Sequence, residues 1–125
     1  MGIDVYARWE GQLPEDVGRQ LKVWLSATDG AVGYLREAYH GEPYATRHLV
    51  PEAFDSTHGV TIPAKVLRER LPKALRLAEV RERAIYGAKS KQDVEPTLQS
   101  FRAFVELCER VERETGRLVK IIASY

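Results

Sequence analysis

A single cysteine, Cys108, leaves the 125-residue chain unable to form an internal disulfide or a multi-thiolate metal site. No apolar run approaches the ~20 residues that a membrane-spanning helix needs. The start, Met1-Gly2-Ile3-Asp4-Val5, meets a charge at its fourth residue, so no signal peptide is expected. Tyr6 stands where a myristoylation motif requires Ser or Thr. These absences lead to the expectation of a cytoplasmic protein. Also missing are G-x-S-x-G, a P-loop, a dinucleotide fingerprint, H-E-x-x-H and C-x-x-C, so no reaction class is signalled by motif. Nor is there an internal repeat, a low-complexity tract or a linker long enough to divide domains, and one domain spanning 1–125 is expected.

What is present is ordinary in amount but not in distribution. A hydrophobic fraction of 44% sets the chain apart from disordered sequences and suffices for one core. Residues 1–60 carry five basic and nine acidic side chains, net −4; residues 61–91 carry nine and three, net +6; residues 92–125 carry five and six, net −1. A basic middle between acidic flanks either meets acidic surface of the same protein or faces an anionic partner.

Ile3, Val5, Ala7 and Trp9 alternate with Asp4, Tyr6, Arg8 and Glu10, the period of a half-buried strand. Pro14, with Glu15 and Asp16 behind it, opens a helix over 14–27 whose stripe is Val17, Leu21, Trp24 and Leu25. Ala31–Leu35 and Tyr44–Val50 read as two strands of a loose hairpin around Tyr39-His40-Gly41-Glu42-Pro43, with a helical turn at Leu35–Tyr39 as the competing reading. Pro51–Gly59 reads as a connection. From Pro63 to Gly87 the period becomes helical, with Leu67, Leu71, Leu75, Ala78 and Ile85 on one side. Pro72 predicts two helices or a sharp kink there. Gly87–Gln92 reads as a polar loop.

Over 97–115, Leu98, Phe101, Phe104, Val105, Cys108 and Val111 recur at three- and four-residue steps, and Gly116 suits the stop. Glu106–Arg110 and Glu109–Arg113 have favourable four-residue spacing. Residues 118–125 read as a strand that is apolar on both faces in its middle, hence central. The expected fold is α+β: a small, mostly antiparallel sheet of three or four strands, terminal strands central, and three to four helices mainly on one face.

The densest reactive stretch supplies the candidate ligand-binding residues Arg36, Glu37, Tyr39, His40, Tyr44 and Arg47, with His48 and Glu52 nearby. Arg36 and Arg47 have the planar fork that grips a carboxylate or phosphate. His40 titrates near neutral pH, Glu37 is placed to orient it, and Tyr39 and Tyr44 can wall a pocket. The competing reading packs the tyrosines and pairs the arginines with Glu37, Glu42 and Glu52. No cofactor and no metal are expected, since His40, His48 and His58 lack ligand spacing. Cys108, on the apolar stripe, is expected in the core. The row Asp4, Tyr6, Arg8 either joins Arg36 and Tyr39 in a shallow polar site or is solvated, the latter preferred.

The stretches Met1–Trp9, Gly33–Gly41, Pro43–Thr46, Pro51–Phe54 and Ile122–Tyr125 together resemble a small family of uncharacterised bacterial proteins. The resemblance spans nearly the whole chain, implies a bacterial cytoplasmic single domain and implies no activity.

Three functions are weighed on these residues. The first is a non-catalytic binding or interaction module whose partner is an unknown protein or a second copy, with no membrane involved. The second is a small enzyme or binder for an anionic ligand using Arg36, His40 and Arg47. The third, disfavoured for want of stacking aromatics, is nucleic-acid binding through 65–91, where Lys65, Arg68, Arg70, Lys73, Arg76, Arg81, Arg83, Lys89 and Lys91 flank the apolar stripe.

Overall fold

A computed structural model describes residues 2–21, 28–39, 41–85 and 87–125. Strands β1 (Gly2–Arg8), β2 (Tyr34–Ala38), β3 (Val60–Thr61) and β4 (Lys120–Ser124) form one antiparallel sheet in the order β2-β1-β4-β3. The two terminal strands are therefore central, as expected. Helices α1 (Pro14–Leu21), α2 (Ala45–Leu49), α3 (Pro51–Phe54), α4 (Ala64–Ile85) and α5 (Lys91–Thr115) complete an α+β fold. Among the described residues, no helix is long and apolar enough to cross a membrane.

The period of two in β1 decides which face is covered. Ile3, Val5 and Ala7 are buried, as are Leu35 of β2 and Ile121 of β4 in the same layer. They pack with Leu67, Leu71, Ala74 and Ala78 of α4 and with Val94, Leu98, Phe101, Phe104, Val105, Cys108 and Val111 of α5. Asp4, Tyr6 and Arg8 face the other way and are half-buried. Cys108 lies in the core, and burial pushes its thiol up to about 12, leaving no thiolate at neutral pH. Of the expected stripe of α1, Val17 is described; the Leu21 side chain, Trp24 and Leu25 lie outside what is described.

Several expected elements are corrected. Residues 30–32 form a 3₁₀ turn, and the strand begins only at Tyr34 and runs through Ala38, where a helical turn was the competing reading. Gly30 explains the shift: its amide donates to Ser100 Oγ at 2.8 Å, and a Cβ there would lie 1.7 Å from the Ser100 carbonyl oxygen. The chain is thereby pinned to α5 and cannot extend along the sheet. Tyr44–Val50 is no strand. It contains α2, and the connection after Pro51 contains α3.

Pro72 breaks nothing: α4 is one helix of 22 residues. The proline is exposed, so the carbonyl it leaves without a donor is on the solvent side. α5 begins at Lys91 rather than 97, because Ser90 and Asp93 form a reciprocal capping box that fixes the start upstream of Pro96. It ends at Gly116 in the left-handed conformation, φ 71°. Glu109 bonds Arg68 of α4 rather than Arg113, joining the two long helices.

Candidate functional site

β2 sends successive side chains to opposite layers. Arg36 is in register with Asp4 on the open face, and Glu37 with Ile3 on the covered one. Arg36 Nη1 donates to Asp4 Oδ1 at 2.8 Å, and the Tyr34 hydroxyl donates to the same oxygen at 2.6 Å. Burial, reinforced by that bond to Asp4, pushes the Tyr34 hydroxyl up to about 12. Asp4 thus joins Arg36, but Tyr39 does not join them: its ring meets the edge of Tyr44 at 6.5 Å between centroids.

Glu37 anchors a different assembly. Its Oε2 accepts from the Ala45 amide at 2.9 Å; its Oε1 accepts from the Thr46 amide at 3.0 Å and the Thr46 hydroxyl at 2.6 Å. The carboxylate also meets Arg81 Nε at 3.1 Å. Arg81 Nη1 donates to the carbonyls of Gly41 and Pro43, Nη2 to that of Ala38, and the guanidinium lies 4.6 Å from the Tyr44 ring centre. Each edge of the fork has a partner. Glu37, Tyr44 and Arg81 thereby fasten Ala38 and the 41–46 segment to α4. His40 lies outside the described residues.

Outside this clamp the chain presents a groove. Glu42, Pro43, Tyr44, Arg47 and His48 on one side face Lys73 and Leu77 of α4 on the other, around a volume of about 480 Å³. Lys73 and Leu77 are four apart and share a helix face. Arg47 is held by Glu42 at 3.0 Å, and its guanidinium lies 5.6 Å from the Phe54 ring centre. Arg70 is gripped by both oxygens of Glu52, at 2.8 and 2.7 Å, and donates to the Leu49 carbonyl. Lys73 and Arg76 have no carboxylate within ion-pair distance among the described residues. Burial, then the charges of Lys73, Arg70 and Arg76, hold the His48 imidazole below its ordinary value.

Of the six residues singled out by sequence, Glu37 and Tyr44 come together on Arg81, Tyr39 packs on Tyr44, and Arg36 and Arg47 engage different carboxylates, Asp4 and Glu42. Sequence reasoning named His48 only as a neighbour of the candidate residues, and assigned Lys73 and Arg81 to the basic segment rather than to the same site. The signal for Arg81 was available: the steps Leu67, Leu71, Ala74, Ala78 land next on residue 81, a cation on an apolar stripe. The basic segment is partly spoken for inside the molecule, with Arg68 on Glu109, Arg70 on Glu52, Arg81 on Glu37 and Arg83 on Glu79. Among the described residues, no group of three His, Cys, Asp or Glu side chains is placed to hold a metal.

No protein-family model, curated protein or solved structure matches the chain.

Proposed function

We propose that this protein is a non-catalytic binding module whose groove between α2 and α4 receives a carboxylate-bearing segment of a protein partner. The observation that carries this reading is the convergence of Arg47, His48 and Lys73 on one groove, with Arg76 adding to the field at His48. Lys73 and Arg76 have no carboxylate within ion-pair distance among the described residues, and their positive charge favours an anion there beside the Arg47–Glu42 pair. Tyr44, Leu77 and Pro43 supply the apolar walls that a peptide side chain needs beside its charge.

The clamp supports the same reading. Arg81 and Glu37 are consumed in fixing the 41–46 segment, which carries part of one wall of the groove, so that wall is held before any partner arrives. Arg47 must exchange Glu42 for the partner's carboxylate, and this exchange makes binding selective for segments that offer at least two charges.

The test is a titration of isotope-labelled protein with a hexaglutamate peptide at low salt. Amide shifts confined to Arg47, His48, Lys73 and Leu77, lost in the R47E/K73E variant, are expected. A titration that leaves these amides unmoved at millimolar peptide overturns the proposal.

A further inference from the structure

A second cavity opens at the far end of β1, where the chain leaves that strand beside the segment joining α5 to β4. It holds about 600 Å³ and is lined by Arg8, Trp9, Glu10, Arg117, Leu118 and Lys120, with Thr115 beside them. The volume falls in the range that small ligands occupy, roughly 300–1,000 Å³.

The charges lining it are peculiar. Arg8 and Lys120 are direct cross-strand partners in the β1–β4 ladder, so both side chains leave the same face side by side. Like charges directly opposite each other destabilise a sheet. Neither has a carboxylate within ion-pair distance among the described residues. The hydrogen bond that Arg8 makes is a long one, Nη1 to the Ala7 carbonyl at 3.4 Å, and its guanidinium rests 5.1 Å from the Tyr6 ring centre. Arg8 is also half-buried, so it is partly stripped of water without gaining an anion. The one carboxylate in the lining, Glu10, is bonded to Arg117 at the rim. Two cations therefore remain uncompensated. Beside them stand a half-buried indole, Trp9, and an exposed apolar side chain, Leu118.

Two positive charges next to a flat aromatic wall and an aliphatic one define a ligand: a dianionic head joined to a planar ring. We propose that this cavity binds a nucleoside monophosphate, with the phosphate between Arg8 and Lys120 and the base against Trp9 and Leu118. The phosphate replaces the repulsion across the ladder with two charge-assisted contacts. The base gains stacking on the indole, which discriminates little among bases. This site shares no residue with the α2–α4 groove, so it stands or falls separately.

The chain has two tryptophans, Trp9 and Trp24, so a W24F background makes fluorescence report on Trp9 alone. Titration with AMP is expected to quench that emission saturably; adenosine and inorganic phosphate, each holding half of the recognition, bind at least about tenfold more weakly. K120Q and R8Q each weaken AMP by about tenfold or more. Isothermal calorimetry on the unsubstituted chain repeats the AMP measurement independently of the W24F background.

Thermal melting without ligand separates binding from structure. K120Q removes a like-charge neighbour, so it melts no lower than the parent while losing AMP. Four results overturn the proposal: no AMP binding at millimolar concentration, phosphate binding as tightly as AMP, AMP affinity unchanged in K120Q, or a K120Q variant that melts well below the parent.

Discussion

Glu37 and Arg81 meet at 3.1 Å with side chains only 9% and 10% exposed, one near the end of an edge strand and the other near the C-terminal end of α4. Such a pair is worth more as a constraint than as a source of stability, because both ions are taken out of water. Here the remaining valences are filled: the carboxylate accepts from Ala45 and Thr46, and the guanidinium donates to three carbonyls. Removing one partner strands the other. Arg81→Met is expected to destabilise the fold by about 3–5 kcal/mol in urea unfolding. Arg81→Lys rescues little of this, since an ammonium cannot reach Glu37 and three carbonyls from one plane. A loss under about 1 kcal/mol for Arg81→Met would show that the clamp is dispensable.

Gly30 and Gly18 are predicted to respond in opposite directions to alanine. A Cβ on Gly30 would run into the backbone of Ser100, so Gly30→Ala must push the 3₁₀ turn off α5, at about 3 kcal/mol or more. Gly18 is exposed in α1 with open space around it, and alanine there should stabilise by about 0.5–1 kcal/mol through helix propensity. Melting temperatures of the two variants measure both effects; a tolerated Gly30→Ala would mean that the contact with Ser100 yields easily.

The helix at 45–49 shows where sequence reading reaches its limit. Tyr44, Thr46 and Val50 have good strand propensity, and nothing local argues against a hairpin. What makes the segment helical is the Glu37 carboxylate, which takes the first amides of α2 from eight and nine residues away. Propensity is a sum over neighbours in sequence, and this bond is a fact of tertiary structure. By contrast β1 and the body of α5 were legible, because each buries a face whose period is written in its own residues, and β4 was legible from its apolar run. At the candidate site the residue types were legible and their grouping was not. Arg36 and Glu37 are adjacent in sequence, yet strand geometry sends them to opposite layers.

Gln20 was invisible to the apolar pattern, yet it is fully buried. Its Nε2 donates to the carbonyls of Ala7, Val32 and Gly33, joining α1, β1 and the 3₁₀ turn, while its Oε1 has no partner. The Val32 carbonyl has no other donor among the described bonds. Gln20→Leu is therefore expected to cost about 1–3 kcal/mol despite matching the apolar surroundings. Gln20→Glu should cost more, because a carboxylate would face three carbonyl oxygens. Chemical denaturation of the two variants should rank them in that order, and the reverse order would reassign the contacts of residue 20.

His48 gives the groove a pH signature. Burial and the nearby charges of Lys73, Arg70 and Arg76 hold its folded-state value below the ordinary 6.5, to which unfolding returns it. The unfolded chain therefore binds a proton that the folded chain resists. The resulting stability is present in full above the ordinary value and is lost as pH falls through the folded one. Glu52, held low by its bond to Arg70, and Glu109, held low by Arg68, add losses of the same sign further into the acid range. Urea midpoints at pH 7.5 and 5.5 should fall in the parent and fall less in His48→Asn.

The same imidazole reports the proposed ligand. A carboxylate seated between Arg47 and Lys73 offsets the cations around His48, so its NMR titration midpoint should start below 6.5 and move upward when hexaglutamate is added. Lys73→Gln should raise the midpoint without peptide and shrink the peptide-induced shift. A midpoint that starts at or above the ordinary value would remove the cationic groove as a premise. A low midpoint indifferent to peptide would leave the field in place but assign it no carboxylate partner.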